Sequence, residues 1–299
     1  MDTTTNTPQA VDTSICNKAV LVSLSVSTWT ARKYSKEITA KVNADHGASG
    51  DAGRYNKSLL PGDAESYKAL MRVAGYARTN HYSQSLAWSD EGWRLLPTAN
   101  YQDYTDRLRG LTSEFETALE DFLLDYPALV NQSRGRLNGM FRDSDYPDVH
   151  DLRAKFSIGV EFSPVPTSGD FRLDLAGSTI EAIEKSVVDR VERATAGAVK
   201  DSWDRLKDCV LHIHSRLSDP KAIFRDSLID NARELTDILG RLNVTGDVNL
   251  ETARLEVAAK LGAYEPAMLR SDATARAEVA RDAQAILSSM NGLYGTGAV

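Results

Sequence analysis

The stretch Ser178–Ser218, STIEAIEKSVVDRVERATAGAVKDSWDRLKDCVLHIHSRLS, decides the architecture. Ile180, Ile183, Val187, Val191, Ala194 and Ala198 recur at intervals of three and four, and Leu206, Val210, Ile213 and Leu217 resume the rhythm. That spacing keeps one apolar stripe on an α-helix. Ser178 with Glu181 forms a capping box, so a helix is predicted over about 179–218. Outward from it, Asp219-Pro220 reads as a cap followed by a first-turn proline that opens a helix ending near Gly240. Two more helices are predicted at about 250–262 and 272–290. Upstream, Asn100 and Asp103 open another long helix, in which Leu108, Leu111, Phe115, Ala118 and Phe122 keep the three-four spacing. Pro127 is expected to kink or interrupt it. Such stripes bury against one another within a chain, and the same repeat would also serve a homo-oligomer.

Strand signals are fewer. From Val20 to Thr30, Val22, Leu24 and Val26 alternate with Ser23, Ser25, Ser27 and Trp29, the pattern of a half-buried strand. Residues 157–175 read as a hairpin: Ile158, Val160 and Phe162, then the turn PVPTSGD, then Phe171, Leu173 and Leu175. Tyr34, Ile38 and Val42 mark a short helix to about Ala44, followed by the glycine loop GASGDAGRYNK (47–57) and a helix over about 63–82. The expected fold class is α+β, a small N-terminal α/β module on a body of long antiparallel helices with one hairpin. The expected domains are a tail at 1–14, the module at 15–98 and the helical body at 99–299.

The functional lead is an asymmetry of composition. Ten of the fifteen Trp and Tyr residues fall between 15 and 110, where none of the seven Phe residues lies. The same stretch has thirteen Lys and Arg against nine Asp and Glu, inside a chain of net charge −7. Tyr and Trp offer a flat π face with a polar edge, and single strands of nucleic acid need faces for bases and cations for phosphates. On the 63–82 helix, Leu70, Val73, Ala74 and Ala77 share one side, and Lys68, Arg72, Tyr76, Arg78 and Tyr82 spread over the other. Arg32, Lys33, Lys36, Arg54, Lys57, Lys68, Arg72, Arg78 and Arg94 are the expected phosphate anchors. Trp29, Tyr55, Tyr76, Tyr82, Trp88 and Trp93 are the expected stacking residues, whereas Tyr34 reads as structural. Gly47, Gly50 and Gly53 could turn backbone N–H groups toward a phosphate, or could simply form a connector.

Motifs of catalysis are missing from the sequence: it has no Walker A, dinucleotide fingerprint, G-x-S-x-G or HExxH. His212 and His214, two apart on a helix, do not share a face and make a poor metal clip. The expectation is a non-catalytic protein with no metal and no cofactor. Cys16 and Cys209 suggest no disulfide framework, and the polar first fourteen residues do not read as a signal peptide. A cytoplasmic protein without membrane association is expected.

The segments SVSTWTARK (25–33), DAGRYNKSLLP (51–61), SGDFRLDL (168–175) and LSDPKAIFRDSL (217–228) resemble an uncharacterised family of bacteriophage proteins. The likeness runs from about residue 18 into the C-terminal helices. It implies a phage-encoded protein acting in the cytoplasm of an infected bacterium, in a family often encoded near a MoxR-type AAA+ ATPase and a von Willebrand A protein. No catalytic residues come with it. Two readings follow: an accessory factor of phage replication, recombination or transcription that binds single-stranded DNA, or a helical adaptor for a protein partner such as an AAA+ ATPase.

Overall fold

The computed structural model describes residues 14–89, 92–167 and 177–293. In chain order the elements are α1 (Ser14–Lys18), β1 (Ala19–Ser27), β2 (Arg32–Tyr34), α2 (Lys36–Asp45), β3 (Asn56–Ser58), α3 (Glu65–Gln84), β4 (Leu86–Ala87) and β5 (Arg94–Pro97). There follow α4 (Thr98–Leu137), α5 (Val149–Arg153), β6 (Ser157–Pro164), α6 (Gly177–Ser218), α7 (Ser227–Leu242), α8 (Val248–Lys260), α9 (Pro266–Ser271) and α10 (Ala273–Leu293). The protein is α+β, as the periodicities predict. One sheet has the order β4-β5-β1-β6, and β2 pairs with β3 in a second.

The chain forms two compact units. The first takes the described parts of 1–23, 82–104 and 161–299, the second 24–81 and 105–160. Both draw on either side of residue 98, where composition had suggested a boundary.

In the first unit, α6 packs against α7, α8 and α10. Its buried positions Val187, Val191, Ala194, Ala198, Leu206, Val210, Ile213 and Leu217 are those of the three-four stripe. β5 pairs antiparallel with β1 from Ala19↔Pro97 to Val22↔Arg94. Ala19, Leu21 and Val22 are all buried, so this half of β1 is covered on both faces and only its later residues alternate.

The Asp219-Pro220 pair does not open a helix: α7 begins eight residues after Asp219, at Ser227. The Asp219 carboxylate instead accepts the Lys221 N–H at 2.9 Å and closes a turn with Ala222 N–H on the Asp219 carbonyl. Arg276 then donates to the carbonyls of Arg216, Leu217, Asp219 and Ala222, satisfying backbone acceptors that a continued helix would have used.

The second unit has its own core, in which Leu70 and Ala74 of α3 meet Phe115, Leu119, Phe122 and Tyr126 of α4, with Leu152 and Phe156. α4 runs through Pro127 without ending there, contrary to expectation. Proline removes one backbone bond, at about 3 kcal/mol. Buried Phe122, Leu123 and Tyr126 before it and Leu129 after it keep the same face packed, which offsets that loss. The strand Ser157–Pro164 forms as predicted, whereas its expected return through Phe171 and Leu175 lies outside the described residues.

Candidate nucleic-acid interface

α3 presents the predicted faces. Leu70, Ala74 and Ala77 are fully buried, and on the other side Lys68, Arg72 and Tyr76 follow one another at i, i+4 spacing, all exposed. Tyr76 keeps 50% of its surface. Lys68 reaches the exposed Glu65 at 2.8 Å, a solvent-screened pair worth well under about 1 kcal/mol and readily exchanged for a phosphate.

At the N-terminal end of that stripe lies a groove of about 440 Å³, within the roughly 300–1,000 Å³ range of small-ligand sites. Leu60, Pro61, Ala64 and Met71 give it apolar walls, and Arg32 and Lys68 bring positive charge to it. Tyr67 also lines it, its hydroxyl donating to the Trp29 carbonyl at 2.8 Å. Burial raises the Tyr67 hydroxyl above its ordinary pKa, and the nearby Arg32 guanidinium draws it partly back.

Arg32 belongs to β2, whose three residues are all exposed. Arg32 and Tyr34 lie two apart and so share a strand face. Tyr34 is 40% exposed, and the Arg54 guanidinium sits 4.9 Å from its ring centroid. The expectation that Tyr34 is structural is therefore corrected: α2 begins after it, with Ser35 as N-cap, so Tyr34 ends a strand and leaves the core. Lys33 and Lys36 are exposed nearby in sequence. Tyr55 is 37% exposed, with its hydroxyl 3.9 Å from the Met140 sulfur.

Other expected contacts are structural. Lys57 is 4% exposed, pairs with Asp145 at 2.5 Å and donates to the Met140 carbonyl at 2.8 Å. Across the β2–β3 ladder it stands opposite Lys33, a like-charge pairing that the Asp145 carboxylate offsets. Arg78 is half-buried and donates to the Val26 carbonyl at 3.0 Å, which ties α3 to β1. Trp29 packs on the second core with its ring edge-on to Tyr126 at 6.0 Å. Trp88 and Trp93 pack on the core of the first unit. These three indoles are half-buried, because a ring so large loses too much apolar contact if left in solvent.

Arg94 is a structural residue of the first unit. Its side chain is 15% exposed, donates twice to Ser85 at 2.8 and 3.0 Å, and lies 3.6 Å from Asp201. Burial and the neighbouring Arg205 lower its pKa. It covers the ring of Tyr82, which is 56% exposed. Tyr82 and Arg94 thus belong to the first unit, whereas the groove and the α3 stripe belong to the second.

The glycine loop has a local explanation at its first residue. Gly47 has φ +61°, its N–H bonds to Ala44 O, and Ala48 N–H bonds to Asn43 O. That is the left-handed stop of a helix, here α2, and it occupies the Gly47 N–H that a phosphate would have used. Gly53 packs close, since an added Cβ would meet the Asn43 side chain at 3.2 Å.

The groove walls were not anticipated. Leu60 and Pro61 fall between the glycine loop (47–57) and the helix predicted from about residue 63, and an apolar pair there carries no signal of its own until Tyr67 and Met71 join it in the groove. Among the described residues no group of three or more His, Cys, Asp and Glu gathers as a metal site, and no helix is long and apolar enough to cross a membrane. No protein-family model, curated protein or solved structure matches the chain.

Proposed function

We propose that the second unit binds single-stranded nucleic acid along the α3 stripe and the adjoining groove, and that the protein is a non-catalytic accessory factor. The observation that supports this reading is the groove itself: its apolar walls suit a base, and the Arg32 and Lys68 side chains that also line it suit the phosphates of a strand. Tyr76 and the Tyr34–Arg54 stack extend the face with exposed rings, and Arg72 extends it with a cation, whereas Lys33 points to the opposite face of β2. A base buried in an apolar groove must be unstacked, which favours single strands over duplex.

Two of the segments that resemble a phage family supply Arg32, Lys33, Arg54 and Tyr55. This supports a role in phage replication, recombination or transcription within the host cytoplasm. The test is fluorescence anisotropy of labelled single- and double-stranded oligonucleotides at two salt concentrations. Removing two phosphate contacts in an Arg32→Ala, Arg72→Ala double variant should lower the salt slope for single strands by about 1.4. An unchanged slope and affinity, or a preference for duplex, would reject the reading.

A further inference from the structure

The first unit carries a separate pocket of about 250 Å³ where the end of α6 meets the turn into α7. His212 and Arg216, one turn apart on α6, line it together with Arg225, Ser227 and Asn231, and Phe224 and Leu228 form its apolar floor. No carboxylate lines it, although the chain as a whole is acidic. Of the acids in the turn, Asp226 is held by Arg270 at 2.6 Å and Asp219 caps the Lys221 N–H.

At the edge of this pocket stands Ile223, with 90% of its surface in solvent. Its exposure is not that of a loose loop. The next residue, Phe224, is buried at 7% with the guanidinium groups of Arg270 and Arg276 at 5.7 and 5.3 Å from its ring centroid. Arg276 also binds four carbonyls between Arg216 and Ala222. The turn is therefore fastened on both sides of an aliphatic side chain that faces water. A fixed apolar knob beside a cationic concavity has the chemistry of a protein-docking site: the knob supplies desolvation, and the guanidinium groups supply charge selection.

We propose that this turn docks an acidic peptide segment of a partner protein, with Ile223 against its apolar residues and Arg216 and Arg225 on its carboxylates. A phosphate would use the two arginines but would have no use for Ile223, and a lone protruding side chain cannot cover a base as the walls of a groove can, so a peptide is the better fit. The site lies in a different unit from the groove, so it stands or falls separately from the nucleic-acid reading.

The test is selection of an mRNA-displayed library of random peptides on the full-length protein, with counter-selection on an Ile223→Ser, Arg216→Glu, Arg225→Glu variant. All three side chains are exposed, and the unfolding midpoint of the variant monitors its fold. Enriched peptides should combine Asp or Glu with Leu, Ile or Phe. In anisotropy titrations, Ile223→Ser alone should weaken the selected peptide about ten- to a hundredfold. The proposal is overturned if no enriched peptide depends on the three residues, or if the enriched peptides are basic. It is equally overturned if Ile223→Ser leaves their affinity unchanged, or if single-stranded oligonucleotide displaces them from the pocket.

Discussion

Replacing Lys57 by alanine separates a structural lysine from a phosphate anchor. The ammonium group lies 2.5 Å from the Asp145 carboxylate, with side-chain exposures of 4% and 8%. It also donates to the Met140 carbonyl, so β3 is tied to the segment that follows α4. Lys57→Ala leaves a carboxylate buried without its partner, a loss of about 3–5 kcal/mol. Folded domains hold only about 5–15 kcal/mol in total, so this is a large fraction of the second unit's stability. Converting both partners, in a Lys57→Met, Asp145→Leu variant, removes the charges together and should return stability to within about 1 kcal/mol of the parent.

Urea unfolding gives the free energies, and hydrogen exchange read by mass spectrometry places the loss. Exchange should accelerate in β2, β3 and residues 138–146 of the single variant and recover in the double one. Affinity of the double variant for single-stranded oligonucleotide should equal that of the parent. The reasoning is refuted if Lys57→Ala leaves stability unchanged, or if the double variant folds normally yet loses nucleic-acid binding. Either result would return Lys57 to the role its sequence position suggests.

Two further outcomes follow from local geometry. Gly47→Ala should cost about 1 kcal/mol, because φ +61° is unfavourable for alanine even though nothing lies within 4 Å of the new Cβ. Gly50→Ala, with open space and no positive φ, should be neutral in both thermal unfolding and oligonucleotide affinity; a loss of affinity there would mark the loop as a phosphate cradle after all.

The second outcome concerns alkaline stability. The Tyr126 hydroxyl, which donates to the Pro147 carbonyl at 3.0 Å, is pushed up from 10.0 to about 12 by burial, with Tyr146 and Asp148 adding to the rise. The fold therefore favours the neutral phenol. This contribution is complete below pH 10, where the unfolded chain is also protonated, and is lost as pH rises from 10 toward 12. Circular dichroism with tyrosinate absorbance should show that limb, and Tyr126→Phe should make it shallower without removing it, because burial raises Tyr67, Tyr104 and Tyr146 as well; an unchanged limb would assign the alkaline loss to those tyrosines.

The long helices were legible because their burial is periodic: Val187 through Leu217 in α6 obey one rule of spacing, and the packing partner need not be known. The α3 face was legible for the same reason, down to Tyr76. What periodicity cannot carry is a polar residue's choice between solvent and a partner distant in sequence. Lys57 and Asp145 are 88 positions apart, and Arg78 finds its acceptor 52 positions away on β1. Both read as exposed cations until the fold brings the acceptor. Aromatic count misled in the other direction. Trp29, Trp88 and Trp93 sit in polar-looking stretches yet pack on cores, whereas Tyr34, placed inside a predicted helix stripe, lies on a three-residue strand and in solvent. Short strands such as β2 and β3 have too few residues to show a period, and they hold two of the groups that make the candidate face.

That face is tested most directly by photocrosslinking a single-stranded oligonucleotide carrying 5-iodouracil to the full-length protein and mapping the modified peptides. Contact along the groove and the α3 stripe predicts crosslinks within residues 30–36 and 65–78, at Tyr34, Tyr67 or Tyr76, and their suppression by unlabelled single strand but not by duplex. Crosslinks confined to residues 212–231, or none above the level of a non-binding control protein, would contradict it.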